Sequence, residues 1–370
     1  MKAVVISLND PNIYPGLHHL AKALVRAGAD VHFLSSLEPT GVDPDREIPW
    51  AAIPKLKGVI EKIPALRANY HGIFRLIRNA RPDWIIAQHE YLLPALAYKA
   101  VDRRVKVAGY FSDYYKGLWH TEVLKRGAGF LNAYVDICDV RLQWRQNDWS
   151  KIPAETFIIR QAPLRRSSNK LESHECTARV VLTGSNLLLK MNRERLSRFL
   201  HQLCSRDIAV DWYLPGPDDM REDARLLTLH PLFAVREPIS KSELIETLSN
   251  YDAGLFWAPM ADADLSRPWD RSVFVSAASN KIGEYIAAGL IVAHTGNPGL
   301  SYLPDDICVV FDPTDPEAGA DQLVAQIADR AAVDRKRQAA LCYHLNEMNF
   351  EAQAAPFINY VMEGAAAQPE

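Results

Sequence analysis

Two charged residues three positions apart are the most suggestive chemistry in this chain of 370 residues. They are Lys281 and Glu284, within Ser279-Asn280-Lys281-Ile282-Gly283-Glu284-Tyr285-Ile286-Ala287-Ala288-Gly289, and the apolar run Leu290-Ile291-Val292-Ala293 follows at once. Ile282, Tyr285 and Ile286 recur at helical spacing, Ser279 or Asn280 can cap the start, and Gly289 suits a left-handed stop. The pattern predicts a short helix running into a buried strand, with Lys281 and Glu284 sharing a second face. A cation in a first helical turn, beside backbone amides with no partner in the helix, is suited to a diphosphate. A carboxylate one turn further on is suited to a ribose diol. The same pair also reads as a solvated surface ion pair, which contributes little.

A second phosphate-directed feature is Thr183-Gly184-Ser185-Asn186-Leu187-Leu188-Leu189-Lys190. Glycine at a strand end lets a ligand approach the backbone, and the lysine six residues on can reach its phosphates. Many strand-to-helix loops carry such a pair, so it is weak alone. The candidate bases are Asp113, His18 and His89. Asp113 and His89 each follow a predicted strand, where open α/β sheets place reactive groups, and His18 sits where the first loop enters its helix. The competing reading of a lone histidine is structural. Asp262-Ala263-Asp264 has an Asp-x-Asp spacing found at metal-bound diphosphates, but a hard cation needs several converging oxygens. Neither a metal nor a cofactor is expected.

The elements that must position these groups alternate. A buried-type strand at 3–8, a helix marked by Leu17, Leu20, Ala21, Leu24 and Val25, and a strand at 31–34 make a βαβ unit and imply a parallel sheet. The loop between them holds Pro15-Gly16 but no G-x-G-x-x-G fingerprint, so a nicotinamide or flavin has no support. Residues 37–54 read as loop. Residues 55–81 carry seven Lys or Arg and one acid, Glu61, interleaved with apolar residues. That pattern fits a helix lying on an anionic membrane surface or one packed on its own domain with its charges in water. Strands at 84–87 and 105–111 follow, then a helix at 122–132 and an apolar stretch at 136–140. Residues 161–177 read as a linker, after which the alternation restarts with strands at 180–183, 208–214, 233–235, 253–257, 290–293 and 307–311. Ser240-Lys241-Ser242-Glu243 reads as a capping box. Helices at 316–331, 333–345 and 352–362 finish the chain.

The totals narrow the class. The length suits two domains, and 48% hydrophobic with 24% charged residues is a globular composition. A net charge of −3 gives no general attraction to nucleic acid. Five scattered cysteines without a Cys-x-x-Cys pair argue against a zinc site or a disulfide framework. No run is long enough for a signal peptide or membrane span, so a cytoplasmic protein is expected.

The order of elements resembles the two-Rossmann (GT-B) glycosyltransferases, in particular the family-4-like group, with some similarity to xanthan-type glucuronosyltransferases. Carrying it are Pro15-Gly16, Pro82-Asp83-Trp84-Ile85-Ile86-Ala87-Gln88-His89, the stretch from Gly184 to Lys190, residues 244–256 and, most specifically, Asn280 through Gly289. The resemblance implies an α/β chain of two doubly wound domains facing a cleft: an acceptor domain at 1–165, a nucleotide-sugar domain at 166–348, and a C-terminal helix at 349–370 returning to the first domain. It implies Glu284 as the ribose ligand and Lys190 as a diphosphate ligand. Ser279, Lys281, Asn280, Gly184 and Gly16 would also lie around the nucleotide. The chain departs from the family at Ser276, Ser185 and Ser112, where a glutamate, an arginine and a histidine are usual. Those changes leave retaining or inverting chemistry open and leave Asp113 as a base for an inverting attack.

The expected function is transfer of a sugar from a nucleoside diphosphate, with UDP or GDP as carrier, to a hydroxyl of a glycan or polyprenyl-linked acceptor in surface polysaccharide synthesis. If residues 55–81 touch a membrane, the enzyme is peripheral on its inner face. The alternatives are a sugar-nucleotide 2-epimerase of the same architecture, a two-lobed binding protein, and a degenerate transferase that acts only as a partner.

Overall fold

The computed structural model describes residues 1–7, 16–35, 50–53, 70–112, 119–149, 151–153, 155–164, 166–168, 178–184, 193–259 and 279–366. The chain divides into two compact units, 1–161 with 350–370, and 162–349.

The first unit is built on one parallel sheet of order β3-β2-β1-β4-β5-β6-β7. Its strands are β1 (Lys2–Ser7), β2 (Asp30–Ser35), β3 (Trp50–Ala52), β4 (Trp84–Gln88), β5 (Lys106–Phe111), β6 (Ala133–Asp136) and β7 (Thr156–Ile158). Between them run α1 (Gly16–Arg26), α2 (Tyr70–Ala80), α3 (Leu92–Val101), α4 (Trp119–Gly127) and α5 (Asp139–Asp148). Val4, Val5 and Ile6 are buried on both sides of β1, as a parallel strand covered by helices on both faces requires. The sheet reverses its order at β1 and β4, which places a crevice at their carboxyl ends.

Two sequence readings change here, and a third, left open between two alternatives, is decided for α2. Trp50–Ala52, read as loop, pairs in parallel with β2 as the sheet's edge. Residues 139–148 form a helix that apolar spacing did not announce. Its buried members include Arg141 and Arg145, the latter stacked on Phe111 and paired with the buried Asp136. In the basic segment, α2 turns Ile73 and Ile77 into the core and sets Phe74 edge-on to Tyr98, leaving Arg75, Arg78 and Arg81 exposed. Residues 55–69 of that segment lie outside the described residues.

The second unit holds the sheet β10-β9-β8-β11-β12-β13, also parallel. Its strands are β8 (Arg179–Thr183), β9 (Ala209–Tyr213), β10 (Phe233–Arg236), β11 (Ala253–Phe256), β12 (Ile291–His294) and β13 (Cys308–Val310). The helices are α6 (Arg193–Cys204), α7 (Asp218–Arg225), α8 (Lys241–Leu248), α9 (Asn280–Ala287), α10 (Pro316–Ile327) and α11 (Arg330–Tyr343). Alternate residues of each strand feed two cores. Val180, Leu182, Leu255 and Ala293 pack with Phe199 and Leu323, while Val181, Phe256 and Val292 pack with Ile282, Tyr285 and Ile286 of α9. The capping box is not formed as read, because Ser240 Oγ donates to the Glu243 carboxylate at 2.6 Å instead of capping a backbone amide.

After Asn349 the chain enters α12 (Phe350–Ala366), which belongs to the first unit. Its Phe357 packs on Phe157, and Tyr360 packs edge-on to Trp84 and donates to the Asn132 carbonyl at 3.1 Å.

Candidate functional site

In the second unit the reactive positions gather where β8 ends and α9 begins. Ser279 takes the extended conformation of an N-cap, and its hydroxyl accepts a hydrogen bond from the Lys281 amide. Tyr285 orients the helix. Its ring lies flat on Gly254 of β11, where a methyl group would sit only 2.3 Å from the ring. Its hydroxyl accepts from the Thr183 amide at 3.1 Å. The far end of α9 is held by Arg337, fully buried, which donates to the Gly289 carbonyl at 3.2 Å and to the Ser249 carbonyl at 2.6 Å. Gly289 itself has φ 71°, the left-handed stop expected of it.

This bracing sets Lys281 over Gly184. Gly184 has φ 65° at the end of β8, and a methyl group built there would lie 3.1 Å from Lys281 Cε and 3.6 Å from its Nζ. Only glycine suits both the backbone angle and the close approach. Burial pushes the Lys281 amine down to about 8, against the pull of the Glu284 carboxylate, which favours its charged form. A lysine kept partly desolvated at the start of a helix, where the helix dipole favours negative charge, is held ready for an anion. Glu284 stands one turn along the same helix, half-buried. Ser279, Asn280, Lys281, Glu284 and Gly184 thus come together. Lys190 lies outside the described residues, as do Asp262, Asp264, Ser276 and Ser185.

In the first unit, Gly16 is the first residue of α1, and a side chain there would collide with the Tyr110 hydroxyl at 2.5 Å. Tyr110 Oη is buried with no hydrogen-bond partner, and burial raises its pKa so that it stays a donor. His18, one turn into α1, rests edge-on to Phe33. His89 follows β4 with φ 47° and is buried. Its Nε2 lies 2.9 Å from Ser112 Oγ, which also accepts from Gln88 Nε2 at 2.7 Å, and Arg141 donates to the Ser112 carbonyl. His89 is therefore built into a polar cluster at the carboxyl edge of β4 and β5. Asp113 follows that cluster in sequence but lies outside the described residues.

Two features escaped the sequence reading. By its spacing Tyr285 reads only as a packing residue, although Gly254 inside an apolar strand signals a close approach across that strand. His294 and Thr295, at the end of β12 and just after it, fall in no sequence motif. Among the described residues no group of three His, Cys, Asp or Glu is placed to hold a metal ion.

No protein-family model matches the chain, and no curated protein matches it. Solved structures do. A glycosyltransferase from Rickettsia africae ESF-5 superposes with a TM-score of 0.73 at 14% identity over 99% of both chains. Sucrose-phosphate synthase from Thermosynechococcus elongatus gives 0.71 at 15% identity over 100% of both. A protein described as a UDP-N-acetylglucosamine 2-epimerase from Listeria monocytogenes gives 0.63 at 13% identity, over 100% of this chain and 98% of its own. The chain has the GT-B fold of glycosyltransferases, with two Rossmann-like units as its order of elements implied.

Proposed function

We propose that the chain is a glycosyltransferase whose second unit binds a nucleoside-diphosphate sugar and whose first unit receives a glycan or lipid-linked acceptor. The observation that carries this reading is the braced start of α9, where Lys281 overhangs the positive-φ Gly184 beside capped helical amides. In the reaction, the anomeric carbon–oxygen bond to the diphosphate breaks and negative charge grows on the leaving group. Lys281, the α9 amides and Lys190 stabilise that charge, which is the largest available contribution to lowering the barrier. Glu284 holds the ribose diol. The acceptor oxygen bonds to the anomeric carbon, and its proton passes to a base of the first unit: Asp113, with His89 or His18 as the other candidates.

Two further assignments belong to the same proposal. The exposed Arg75, Arg78 and Arg81 supply an electrostatic foothold on an anionic membrane for a lipid-linked acceptor. The apolar face of α2 adds nothing to it, since that face is packed. Surface polysaccharide assembly on the cytoplasmic side is the matching context; among the described residues no helix is long and apolar enough to cross a membrane. The epimerase reading is supported by the Listeria structure, but the two transferase-type structures superpose better.

The test is a thermal-shift panel of UDP, GDP, ADP and TDP with their sugars, followed by transfer to a lipid-linked glycan acceptor. One nucleotide series should raise the melting temperature and support transfer, and Asp113→Asn should abolish turnover while sparing nucleotide affinity. A panel with no stabilising member would sink the reading. Conversion of the sugar nucleotide to its 2-epimer without any acceptor would convert it to the epimerase.

A further inference from the structure

Two leucines are held out of the second unit into solvent. Leu226 and Leu229 are 66% and 88% exposed, and Leu229 is the most exposed large apolar side chain among the described residues. They stand in the segment between α7 and β10, on either side of the buried Leu227 and Thr228. That segment is fastened to α6. The Leu227 carbonyl accepts from Ser197 Oγ, and Thr228 Oγ1 lies 3.3 Å from His201 Nδ1. The Leu227 amide is used as well, donating to the Ala224 carbonyl at 3.1 Å. A pinned backbone therefore presents the two leucines, and scattered single apolar side chains do not explain a pair held this way beside a groove.

The groove has a volume of about 660 Å³. Its lining includes Arg198 and His201 of α6, the two leucines, Asp315 and, at the start of α10, Glu317. Helices α6 and α10 pack through Phe199 and Leu323 on the face of the sheet that carries Val180 and Leu182. Helix α9 packs on the other face, against Val181 and Val292. The sheet thus separates the groove from Lys281 and Glu284, and whatever fills the groove leaves α9 uncovered.

An occupant must cover two leucines, fill a hole and meet charges of both signs. Asp315 and Glu317 oppose a polyanion or an anionic lipid surface. A second copy of the chain supplies every part, because a two-fold axis sets one patch against itself and lays its basic side on its acidic side. Arg198 and Glu317 are both well exposed. Their ion pairs within the chain, to Glu194 at 2.5 Å and to Arg206 at 3.9 Å, are of the weak surface kind and can be exchanged for others. We propose that the chain forms a two-fold dimer through this patch. Leu226 and Leu229 of each copy sit in the groove of the other, and Arg198 of each faces Glu317 of the other. The dimer does not depend on the activity proposed above.

Sedimentation velocity of the full chain across the micromolar range is the test, with thermal melts to check that each variant folds. The wild type should pass from one chain mass to two as its concentration rises. Leu229→Asp, at a position the fold leaves in solvent, should weaken the dimer at least about tenfold. Arg198→Glu and Glu317→Arg should each weaken it as well, since each sets like charges together twice across the axis. Mixed in equal amounts, those two variants should recover the dimer, because every pair across the mixed interface is again opposite in charge. Mixing could not repair a pair that lies within one chain. A wild type that stays monomeric at every concentration overturns the inference, whether another protein or water takes the groove. A dimer indifferent to Leu229→Asp overturns it too, as does a mixture no more dimeric than its two components.

Discussion

At the scale of single residues, Lys281 makes a prediction about pH. Its amine titrates near 8 because burial disfavours the charged form, whereas a bound diphosphate favours that form. Below pH 8 the lysine is already charged and affinity should be flat. Above pH 8 a proton must be taken up on binding, so affinity should fall by up to tenfold per pH unit until the bound-state pKa is passed. Titrations of UDP or GDP in buffers of different ionisation enthalpy should show proton uptake near pH 8–9. Lys281→Arg, charged at every pH used, should remove both the uptake and the slope, and Lys281→Ala should weaken binding about ten- to a hundredfold. A pH-independent wild-type affinity would detach Lys281 from the ligand. The same shift bears on stability. With its folded pKa below the unfolded value, Lys281 makes the folded state bind fewer protons between pH 8 and 10.5, so its contribution improves as pH rises through that window.

Elements decide whether those residues meet, and α9 is the one on which most depends. Ser279→Ala removes the cap at a cost of about 1 kcal/mol and frays the turn that carries Lys281, so nucleotide affinity should drop along with the melting temperature. Gly254→Ala is a sharper probe, because a methyl group would enter the Tyr285 ring. The expected loss is at least about 3 kcal/mol, and Tyr285→Phe, which frees the buried Thr183 amide but leaves the space, should cost only about 1–3 kcal/mol. Equal melting temperatures for the two variants would show that α9 is not held against β11. How far this was legible is clear from the same elements. The helical spacing of Ile282, Tyr285 and Ile286, the cap at Ser279 and the stop at Gly289 are local, and local rules found them. So were the βαβ alternation and the apolar strands, which carry the fold class. What local rules could not find was tertiary. Helix α5 is buried through Arg141 and Arg145, whose partners Ser112 and Asp136 lie 29 and 9 residues away. Strand β3 is too short to show alternation and exists through its pairing with β2. The seat of Tyr285 on Gly254, and the proximity of Lys281 to Gly184 across 97 residues of sequence, follow only from the order of strands in the sheet.

For the whole molecule, the informative fact is that the first unit is discontinuous in sequence. Helix α12 closes it after the chain has built the second unit. It brings Phe350, Phe357 and Val361 to full burial, pairs Glu351 with Arg26, and receives Lys106 at the Gly364 carbonyl. Burial of three such side chains stabilises by roughly 5 kcal/mol or more, comparable with the total stability of an ordinary domain. The donor site proposed above lies entirely in the other unit. These two statements predict separable effects, and hydrogen–deuterium exchange of the full chain can read them peptide by peptide. A saturating nucleotide should add protection at the end of β8 and the start of α9, where binding at a hundred times Kd contributes about 2.7 kcal/mol. Truncation after Asn349 should instead speed exchange in α1, β1, β4 and β7, while β8, β11 and α9 keep both their protection and its increase with nucleotide. Loss of nucleotide-dependent protection at α9 in the truncated chain would mean that residues 350–370 or the first unit they complete contribute to donor binding, and the donor site would have to be redrawn to include them.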